Sequence, residues 1–474
     1  MASPPQDLLD TLAARLGPKG FTRDPREMEP WLVDWRKRYT GAAAAMLSPA
    51  STEEVAEVVR LCNEARVPIV PQGGNSSMAG GATPDASGLA VILSLRRMSR
   101  IRSLSPESNT AVCEAGVILS NLHEAAAEEG RRFPLTLGAK GSATIGGLVS
   151  TNAGGTQVLR FGTMRNLVQG IEAVLPDGSI YSGLAPLKKD NRGYDLKHLL
   201  IGAEGTLGVV TAASLKLVPA VGSRIVAWVG LASPEAALSL LRLLDERMSD
   251  AVEGFELVPD LALQLVLRHV DGTRQPLQGS HAWHVLIEAT APAGSPSPQD
   301  ALGEVLEAAF SKDMVEDAAI AAMEAQAEAF WRIRDSISEA EQKSGAAAKH
   351  DVSVEVSKMP RFIVDAAAAV ERRFADVRVI AFGHLGDGNV HFNVQGPDGA
   401  SNWLKEEAPG VTAFVHDLVV EAGGSISAEH GIGQLRLAEL GRLENPGRLN
   451  AVRAIKKALD PNGIMNPGKL VPLA

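Results

Sequence analysis

The sequence predicts an α+β protein with two large parts, and the order of the apolar patterns is what predicts it. Residues 41–219 alternate short β-type runs with helical patterns and glycine-rich turns. Residues 220–394 give the order strand, helix, strand, strand and end in a hairpin. That second order is typical of an antiparallel sheet with helices on one face.

Composition and charge narrow the class of protein. The chain has 474 residues, 45% of them hydrophobic and 22% charged, which predicts two or three globular domains. The net charge of −10 argues against nucleic acid as a partner, because phosphate binding needs a basic surface. Cys62 and Cys113 are the two cysteines, too few for a disulfide framework or a cysteine metal site.

The start of the sequence, MASPPQDLLD, lacks the basic and apolar regions of a secretory signal. No apolar run approaches the roughly 20 residues that span a bilayer. We therefore expect a cytoplasmic protein without a transmembrane segment.

Local signals predict the first elements in order. DLLDTLAARLG has a helical pattern, and Ser51 followed by Glu54 predicts a capping box that opens a helix in STEEVAEVVRLCNEA. PIVPQGG, AVILSLRRM and TAVCEAG read as strands, and ILSNLHEAAAEEG reads as a helix that ends at Gly130. Asp177-Gly178 marks the turn of a hairpin in IEAVLPDGSIYSG.

The later elements are predicted in the same way. AWVGLAS, EGFELVP and HAWHVLIEAT read as strands, and PEAALSLLRLLDERM reads as a helix. Residues 301–312 and the long stretch 317–345 are predicted to be helical. KHDVSVEV has the period-two pattern of a strand, and LNAVRAIKKALD is a helix that ends before Pro461.

A hairpin in VRVIAFGHLGDGNVHFNV carries two histidines. His384 and His391 flank six residues that contain a Gly-Asp-Gly-Asn turn. If those six residues form the loop, the two imidazoles face each other across the strands and can share one metal ion. Glu429-His430, inside SAEHGIG, can add a carboxylate and a second imidazole. Histidines that cap strand ends are the alternative, and the residues alone leave both readings open.

Three glycine-rich segments in the first part indicate a large phosphate-bearing ligand. They are PQGGNSSMAGG (71–81), TLGAKGSATIGGLVSTNAGG (136–155) and GAEGTLGVV (202–210). Such loops let backbone N–H groups approach an anion. No GxGxxG is present, so a Rossmann dinucleotide fold is unsupported. GIMNPGK (463–469) is followed by leucine instead of Ser/Thr, so a P-loop is rejected.

A possible anion clamp follows in the second part. Arg334 and Ser338 lie four residues apart in a predicted helix, hence on one face, and Lys349 begins a predicted strand. Arginine offers a planar fork and lysine a point charge to a carboxylate. Taken alone, this trio is better explained as solvated surface charge, which is the usual state of Arg and Lys residues.

Seven motifs, in order from about residue 40 to the C-terminus, resemble one flavoprotein family. They are PQGGNSSMAGGA, GAKGSATIGGLVSTNAGG, RFGTMRNLVQGIEAVLPDG, GAEGTLGVV, GHLGDGNVHFN, EHGIG and DPNGIMNPGKL. They are similar to the FAD-dependent 2-hydroxy-acid dehydrogenases of the vanillyl-alcohol oxidase and p-cresol methylhydroxylase superfamily. The D-2-hydroxyglutarate dehydrogenases are the most alike, with the D-lactate and glycolate dehydrogenases as cousins.

The resemblance implies a two-part FAD-binding domain and an antiparallel-sheet substrate domain. The expected boundaries are an N-terminal helical segment at 1–40, the FAD domain at 41–219, the substrate domain at 220–420 and a helical C-terminal segment at 421–474 that returns to the FAD domain. The FAD is expected to be non-covalent, since the first loop has no His or Cys. The expected FAD contacts are Gly73, Gly74, Asn75, Ser76, Ser77, Gly138, Gly141, Ser142, Thr144, Gly146, Gly147, Asn152, Gly154, Glu204, Gly208, Val210 and Asn466.

The resemblance also implies a metal and a substrate site. His384, His391 and Glu429 match the ligands of a divalent metal, often zinc. His430 matches a substrate-contacting position, and we expect it to act as the catalytic base. The remaining substrate contacts are expected from Asn393 and, for a distal carboxylate, from Arg334, Ser338 and Lys349.

Three positions depart from the family pattern. Gln72 stands where an arginine is common, Ser338 replaces a threonine, and Glu355 stands where a proline is frequent. The expected reaction is oxidation of D-2-hydroxyglutarate to the 2-keto acid. D-lactate, glycolate and D-malate stay open as substrates, as do an oxidase that uses O₂ and a non-catalytic FAD-binding subunit. The expected electron acceptor is an electron-transfer flavoprotein or a quinone, and a homodimer is possible.

Overall fold

The computed structural model describes residues 4–397, 399–400 and 402–472, which form two compact units. The first unit comprises residues 4–155, 161–219 and 429–472, and the second comprises 156–160 and 220–428. These boundaries differ from the expected ones: the N-terminal helix belongs to the first unit, and the returning segment begins at 429 instead of 421.

The first unit contains three sheets. A four-stranded sheet has the order β1-β2-β4-β3, a five-stranded sheet β5-β6-β10-β8-β9, and a two-stranded ribbon β11-β7. The strands are β1 (Phe21–Thr22), β2 (Ala45–Leu47), β3 (Ile69–Gln72), β4 (Val91–Ser94), β5 (Ile101–Ser105), β6 (Thr110–Glu114), β7 (Arg131–Arg132), β8 (Val168–Val174), β9 (Ile180–Gly183), β10 (Val209–Lys216) and β11 (Val218–Pro219).

The second unit is built on one seven-stranded sheet of order β15-β12-β14-β13-β17-β18-β16, in which every neighbouring pair is antiparallel. This confirms the predicted antiparallel sheet. The strands are β12 (Val221–Leu231), β13 (Val252–Pro259), β14 (Trp283–Pro292), β15 (Asp317–Ile320), β16 (Ala347–Ser353), β17 (Arg378–His384) and β18 (Asn389–Gln395).

Helices cover both units. Those of the first unit pack on its sheets through buried faces such as Val55, Val58, Val59 and Cys62. The helices are α1 (Gln6–Leu16), α2 (Pro25–Met28), α3 (Thr52–Ala65), α4 (Leu119–Glu128), α5 (Ile145–Thr151), α6 (Val158–Phe161), α7 (Met164–Leu167), α8 (Leu196–Leu200), α9 (Pro234–Met248), α10 (Asp260–His269), α11 (Pro298–Phe310), α12 (Glu324–Asp335), α13 (Ile337–Ser344), α14 (Met359–Arg373), α15 (Trp403–Glu406), α16 (Ala408–Glu421), α17 (Leu437–Leu443) and α18 (Pro446–Leu459).

Local sequence signals explain where several helices begin. The predicted cap of α3 is confirmed, because the Ser51 side chain accepts a hydrogen bond from the Glu54 amide. The Glu54 carboxylate in turn accepts from the Ala50 amide at 2.7 Å, which satisfies a second donor. The predicted tail helix is α18, which ends before Pro461.

The long helix predicted over 317–345 is wrong in two places. Residues 317–320 form β15, which pairs antiparallel with β12 at the edge of the seven-stranded sheet, and this tertiary pairing overrides a weak local preference. The helix is also interrupted at Ser336, so that α12 and α13 are separate elements. Arg334 lies in α12 and Ser338 in α13, so the expectation that one helix carries both is corrected.

The hydrophobic core of the second unit lies on the face of the sheet that carries His384. Ile380 and Phe382 of β17 pack with Phe330, Ile333 and Ile337 of the helices α12 and α13. Side chains of a strand alternate between faces, so the residues two places along from Ile380 and Phe382 point to the same helices. His384 lies on this face.

Candidate active site

Two of the predicted cofactor loops in the first unit approach each other closely. A Cβ atom added to Gly73 would lie 2.2 Å from Thr144 Oγ1, and one added to Gly74 would lie 1.7 Å from the Ser142 carbonyl oxygen. Any side chain at these positions would force the loops apart, so glycine is required by close approach. The structure therefore brings the 73–77 and 138–147 segments together, as the sequence predicted for one ligand.

The surroundings of these loops fit a bound group with its own polar atoms. Added Cβ atoms at Gly138 and Gly141 would meet no protein atom within 4 Å. Within the described part of the chain, the buried oxygens Thr144 Oγ1 and Asn466 Oδ1 have no hydrogen-bond partner. Buried polar atoms are normally satisfied, so a ligand with hydrogen-bonding groups is a natural partner for them.

Four of the predicted cofactor residues adopt the left-handed backbone conformation. Asn75, Asn152, Glu204 and Asn466 have φ values of 53°, 49°, 50° and 42°. Such values are uncommon outside glycine and cluster at functional sites. The strain is held by hydrogen bonds that these side chains make to the surrounding loops.

Three of these side chains stabilise the framework of the first unit. Asn75 Nδ2 donates to the Val33 carbonyl at 2.9 Å, and Asn152 Oδ1 accepts from the Arg165 amide at 2.9 Å. Asn466 Nδ2 donates to the carbonyl of Glu204 at 2.7 Å, which connects the returning segment to the rest of the first unit. These contacts explain how the residues shape the site, and direct cofactor contact stays a prediction.

Glu204 holds the segment that follows Glu429-His430. Its carboxylate accepts hydrogen bonds from the Ile432 amide at 2.7 Å and from the Gly433 amide at 2.8 Å. Burial raises the pKa of Glu204, and the two amides and Arg436 only partly oppose that effect. The sequence did not predict this role for Glu204. It predicted that Glu204 lines the cofactor.

The other predicted cofactor residues lie in or beside these same elements, with Gly146 and Gly147 in the first turn of α5 and Val210 buried in β10. The remaining members occupy loops of the first unit. They are Ser76, Ser77, Gly154 and Gly208.

The two histidines lie on one face of β17 and β18, but they are not directly opposed as predicted. His384 pairs with Asn389, and His391 pairs with Phe382. The prediction was wrong because β18 begins at Asn389, which leaves a loop of four residues, 385–388, instead of six. The histidines are diagonal neighbours two positions apart, and their ring centroids lie 5.6 Å from each other.

A carboxylate completes this pair. One ligand atom each from His384, His391 and Glu429 lie within 4.8 Å of one another. Glu429 directly follows Ala428, whose amide donates to the Asp351 carbonyl of β16 at 3.2 Å, so its main chain starts from the same sheet. Two imidazoles and one carboxylate at this separation are a donor set that suits a divalent ion such as zinc.

Glu256 of β13 fixes the orientation of His384. Its Oε1 lies 2.6 Å from His384 Nδ1, and its Oε2 accepts from Arg334 Nε at 2.8 Å. Burial alone would raise the pKa of Glu256, but the charges of Arg334 and His384 outweigh it and lower the pKa to about 2. The carboxylate therefore stays ionised and holds the proton of His384 on Nδ1, which leaves Nε2 as the ligand atom.

The predicted anion clamp is assembled only in part. Lys349 Nζ lies 3.3 Å from the Ser338 carbonyl, and the Ser338 side chain is on the exposed side of α13. Arg334 instead contacts Glu256, and its Nη2 lies 3.3 Å from His384 Nε2. Arg334 is thus beside the histidine pair, whereas Lys349 pairs in register with Asn393 farther along β18.

The sequence did not predict a role for two carboxylates on this face of the sheet. Glu256 contacts His384, and Glu341 contacts both Lys349 and Asn393. A signal was present for Glu256, since it stands inside the apolar strand pattern GFELV, where a buried carboxylate needs a charged partner. Glu341 lies in a polar helical stretch, and its burial depends on the interruption of the helix at Ser336.

Comparison with protein families and solved structures identifies the class of the fold. Residues 43–183 match the family described as "FAD binding domain", and residues 222–470, just over half of the chain, match "FAD linked oxidases, C-terminal domain". The crystal structure of p-cresol methylhydroxylase with substrate bound has the same fold, with a TM-score of 0.73, 17% identity and coverage of 98% of this chain and 96% of that one. The protein is a flavoprotein of the FAD-linked oxidase class.

Curated relatives define the family within that class. The mitochondrial D-2-hydroxyglutarate dehydrogenase of Arabidopsis thaliana is 38% identical, over 96% of this chain and 80% of that protein. The mitochondrial enzyme of the same name from Bos taurus is also 38% identical, over 98% and 84%. This chain belongs to the D-2-hydroxyglutarate dehydrogenase family of FAD-dependent 2-hydroxy-acid dehydrogenases.

Two further expectations concerned a transmembrane segment and the location of the protein in the cell. No helix in the described part of the chain combines the length and the apolar character that a bilayer crossing needs. The two relatives have "mitochondrial" in their names, so the expectation of a cytoplasmic protein is not confirmed.

Proposed function

We propose that this chain oxidises a D-2-hydroxy acid to the 2-keto acid, and that D-2-hydroxyglutarate is the first candidate substrate. The observation that supports this most is the group formed by His384, His391 and Glu429. The names of the two relatives support the substrate class, since they match nearly all of this chain.

We infer that this group binds a divalent metal ion, with zinc as the first candidate. When bound, FAD supplies a hydride acceptor at flavin N5, and the metal ion supplies a Lewis acid for the substrate hydroxyl. Glu256 Oε1 accepts a hydrogen bond from His384 Nδ1–H, which directs the Nε2 lone pair of the same ring towards a metal ion.

His430 is proposed as the group that takes the hydroxyl proton. It directly follows Glu429, so a ligand to the metal and a base are adjacent in the chain. An imidazole exchanges a proton readily near neutral pH, which suits it to this step. Asn393, which is buried on β18, is proposed to contact the substrate.

The second carboxylate of D-2-hydroxyglutarate would be bound by Lys349 and Arg334. Lys349 is half-buried, and its ammonium has three donors, of which the Ser338 carbonyl and Glu341 engage two. Ser338 matches a threonine of the family, but it is exposed, so its hydroxyl contributes little to binding of the carboxylate in this proposal.

The test is reduction of the flavin in the purified, FAD-loaded protein under anaerobic conditions. Addition of D-2-hydroxyglutarate should bleach the visible flavin absorbance, because hydride transfer to N5 removes the oxidised chromophore. Glutarate, which lacks the hydroxyl group, is the matched control and should leave the spectrum oxidised. A spectrum that is unchanged by every D-2-hydroxy acid tested would contradict the proposal.

The same sample separates the alternatives. Bleaching by D-lactate, glycolate or D-malate but not by D-2-hydroxyglutarate would change the substrate and keep the chemistry. Fast reoxidation on admission of air would identify an oxidase, whereas slow reoxidation fits the proposed acceptors, an electron-transfer flavoprotein or a quinone. Bound FAD that no substrate reduces would identify a non-catalytic subunit.

A further inference from the structure

A buried carboxylate already contacts Lys349, one of the two cations proposed to bind the second carboxylate of the substrate. Glu341 of α13 is 1% exposed. Its two oxygens lie 3.0 and 2.8 Å from Asn393 Nδ2, and its Oε2 lies 3.3 Å from Lys349 Nζ. Two side chains that the proposed function assigns to the substrate are therefore bound to a carboxylate of the protein itself.

The charges on this face are already matched in pairs. Arg334 pairs with Glu256 at 2.8 Å, and Lys349 pairs with Glu341 at 3.3 Å. An incoming carboxylate at Lys349 would share one ammonium with a second carboxylate, and like charges that close repel each other. Asn393 Nδ2 carries two hydrogen atoms, and Glu341 takes at least one of them, so at most one remains for a substrate oxygen.

We propose that Glu341 is a specificity-determining residue that competes with a second substrate carboxylate for Lys349 and Asn393. It weakens the binding of dicarboxylates such as D-2-hydroxyglutarate and so narrows the preference of the site for them over 2-hydroxy acids that have one carboxylate. This inference rests on the proposed function, since it concerns the substrate of that same site. A repulsive group built into a pocket is a general way to set specificity.

A purely structural role for Glu341 makes a different prediction. Burial raises the pKa of Glu341 more than Lys349 and Asn393 lower it, so its charge is poorly compensated. If the residue only held α13 to the sheet, its replacement would alter the use of all substrates alike. If it competes with the substrate, its replacement alters the use of dicarboxylates selectively.

The first experiment compares kcat/KM for D-2-hydroxyglutarate and D-lactate in the FAD-loaded protein. Glu341→Gln removes the charge and keeps the shape, so the ratio of the two values should rise by roughly tenfold or more, mainly through KM for the dicarboxylate. Glu341→Met removes the hydrogen bonds as well and should shift the ratio in the same direction.

Glu339→Gln is the matched control. Glu339 lies on the same helix, is exposed, and pairs with Lys343 at 2.6 Å, so its replacement changes the net charge equally without contacting Lys349. The control should leave the ratio within about twofold of the wild-type value, because exposed pairs contribute little.

Equilibrium binding of the two products gives a readout that is independent of turnover. In calorimetry with the FAD-loaded protein, Glu341→Gln should tighten the binding of 2-oxoglutarate by roughly tenfold relative to pyruvate. Ratios that do not move in either Glu341 variant, by kinetics or by binding, would overturn this inference alone. A wild-type protein that oxidises no 2-hydroxy acid would overturn the proposed function and this inference with it.

Discussion

Glu256 and Glu341 are the two carboxylates whose roles the sequence did not predict. Both are 1% exposed, yet their pKa values shift in opposite directions. Glu256 accepts hydrogen bonds from the Arg334 guanidinium and from His384, and its pKa is lowered to about 2 despite its burial. Glu341 has one cation at 3.3 Å and one neutral amide, and burial prevails, so its pKa is raised.

The difference indicates that the close partners of a buried carboxylate, and not its burial alone, decide its charge. A carboxylate held by a guanidinium at 2.8 Å and by an imidazole at 2.6 Å stays an anion and orients its neighbours. A carboxylate with one cation at a longer distance costs free energy to keep ionised, so a ligand can compete with it. We therefore propose that Glu256 supports the candidate metal site and that Glu341 sets the selectivity of the substrate pocket.

The largest expected effect on stability is at Glu256. Glu256→Gln should lower the free energy of unfolding at pH 7 by about 3–5 kcal/mol, because it leaves Arg334 buried without its anion. The folded pKa of about 2 lies below the ordinary value of 4.5, so the stabilisation is present above pH 4.5 and is lost as the pH falls towards 2. Urea unfolding between pH 7 and pH 3 measures both effects.

Two variants serve as references for that measurement. Glu341→Gln should cost clearly less than Glu256→Gln, because the replaced carboxylate is already poorly compensated. Glu328→Gln removes an exposed partner of Arg224 and should change stability by less than about 1 kcal/mol. Equal losses at Glu256 and Glu341 would contradict the distinction between the two carboxylates.

The next largest effect is expected at Lys349. Lys349→Ala should raise KM for D-2-hydroxyglutarate by a factor equivalent to about 2–4 kcal/mol and affect D-lactate much less, because a substrate with one carboxylate does not use this cation. Glu341 also loses its cation in this variant, which adds repulsion against a dicarboxylate. Arg334→Ala should instead weaken the use of both substrates, since Arg334 contacts Glu256 and lies 3.3 Å from His384 Nε2. Steady-state kinetics on both acids checks this, and an equal loss at Lys349 on the two substrates would count against the assigned pocket.

Much of the fold could be predicted because it depends on local patterns. The cap at Ser51, the tail helix before Pro461 and the antiparallel order of the second unit all follow from short-range signals. The prediction failed at 317–320 and at Ser336, where pairing with β12 and a helix interruption depend on distant residues.

The residues of the candidate site could also be predicted from local motifs, but their geometry could not. The histidines and Glu429 stand in recognisable motifs, so their convergence could be expected. Their diagonal arrangement could not, because the first residue of β18 sets the register of the hairpin. Glu256 lies 128 residues from His384, and such a pair leaves no local signal of its partner.

The metal content of the FAD-loaded protein tests the central claim most directly. Elemental analysis of the wild type should find about one divalent ion per chain, held by the two imidazoles and the carboxylate. In His384→Ala the ion and the turnover should both be lost while the FAD content stays unchanged, since the cofactor loops lie in the other unit. A His384→Ala protein that is free of metal and still oxidises D-2-hydroxy acids at the wild-type rate would contradict the account.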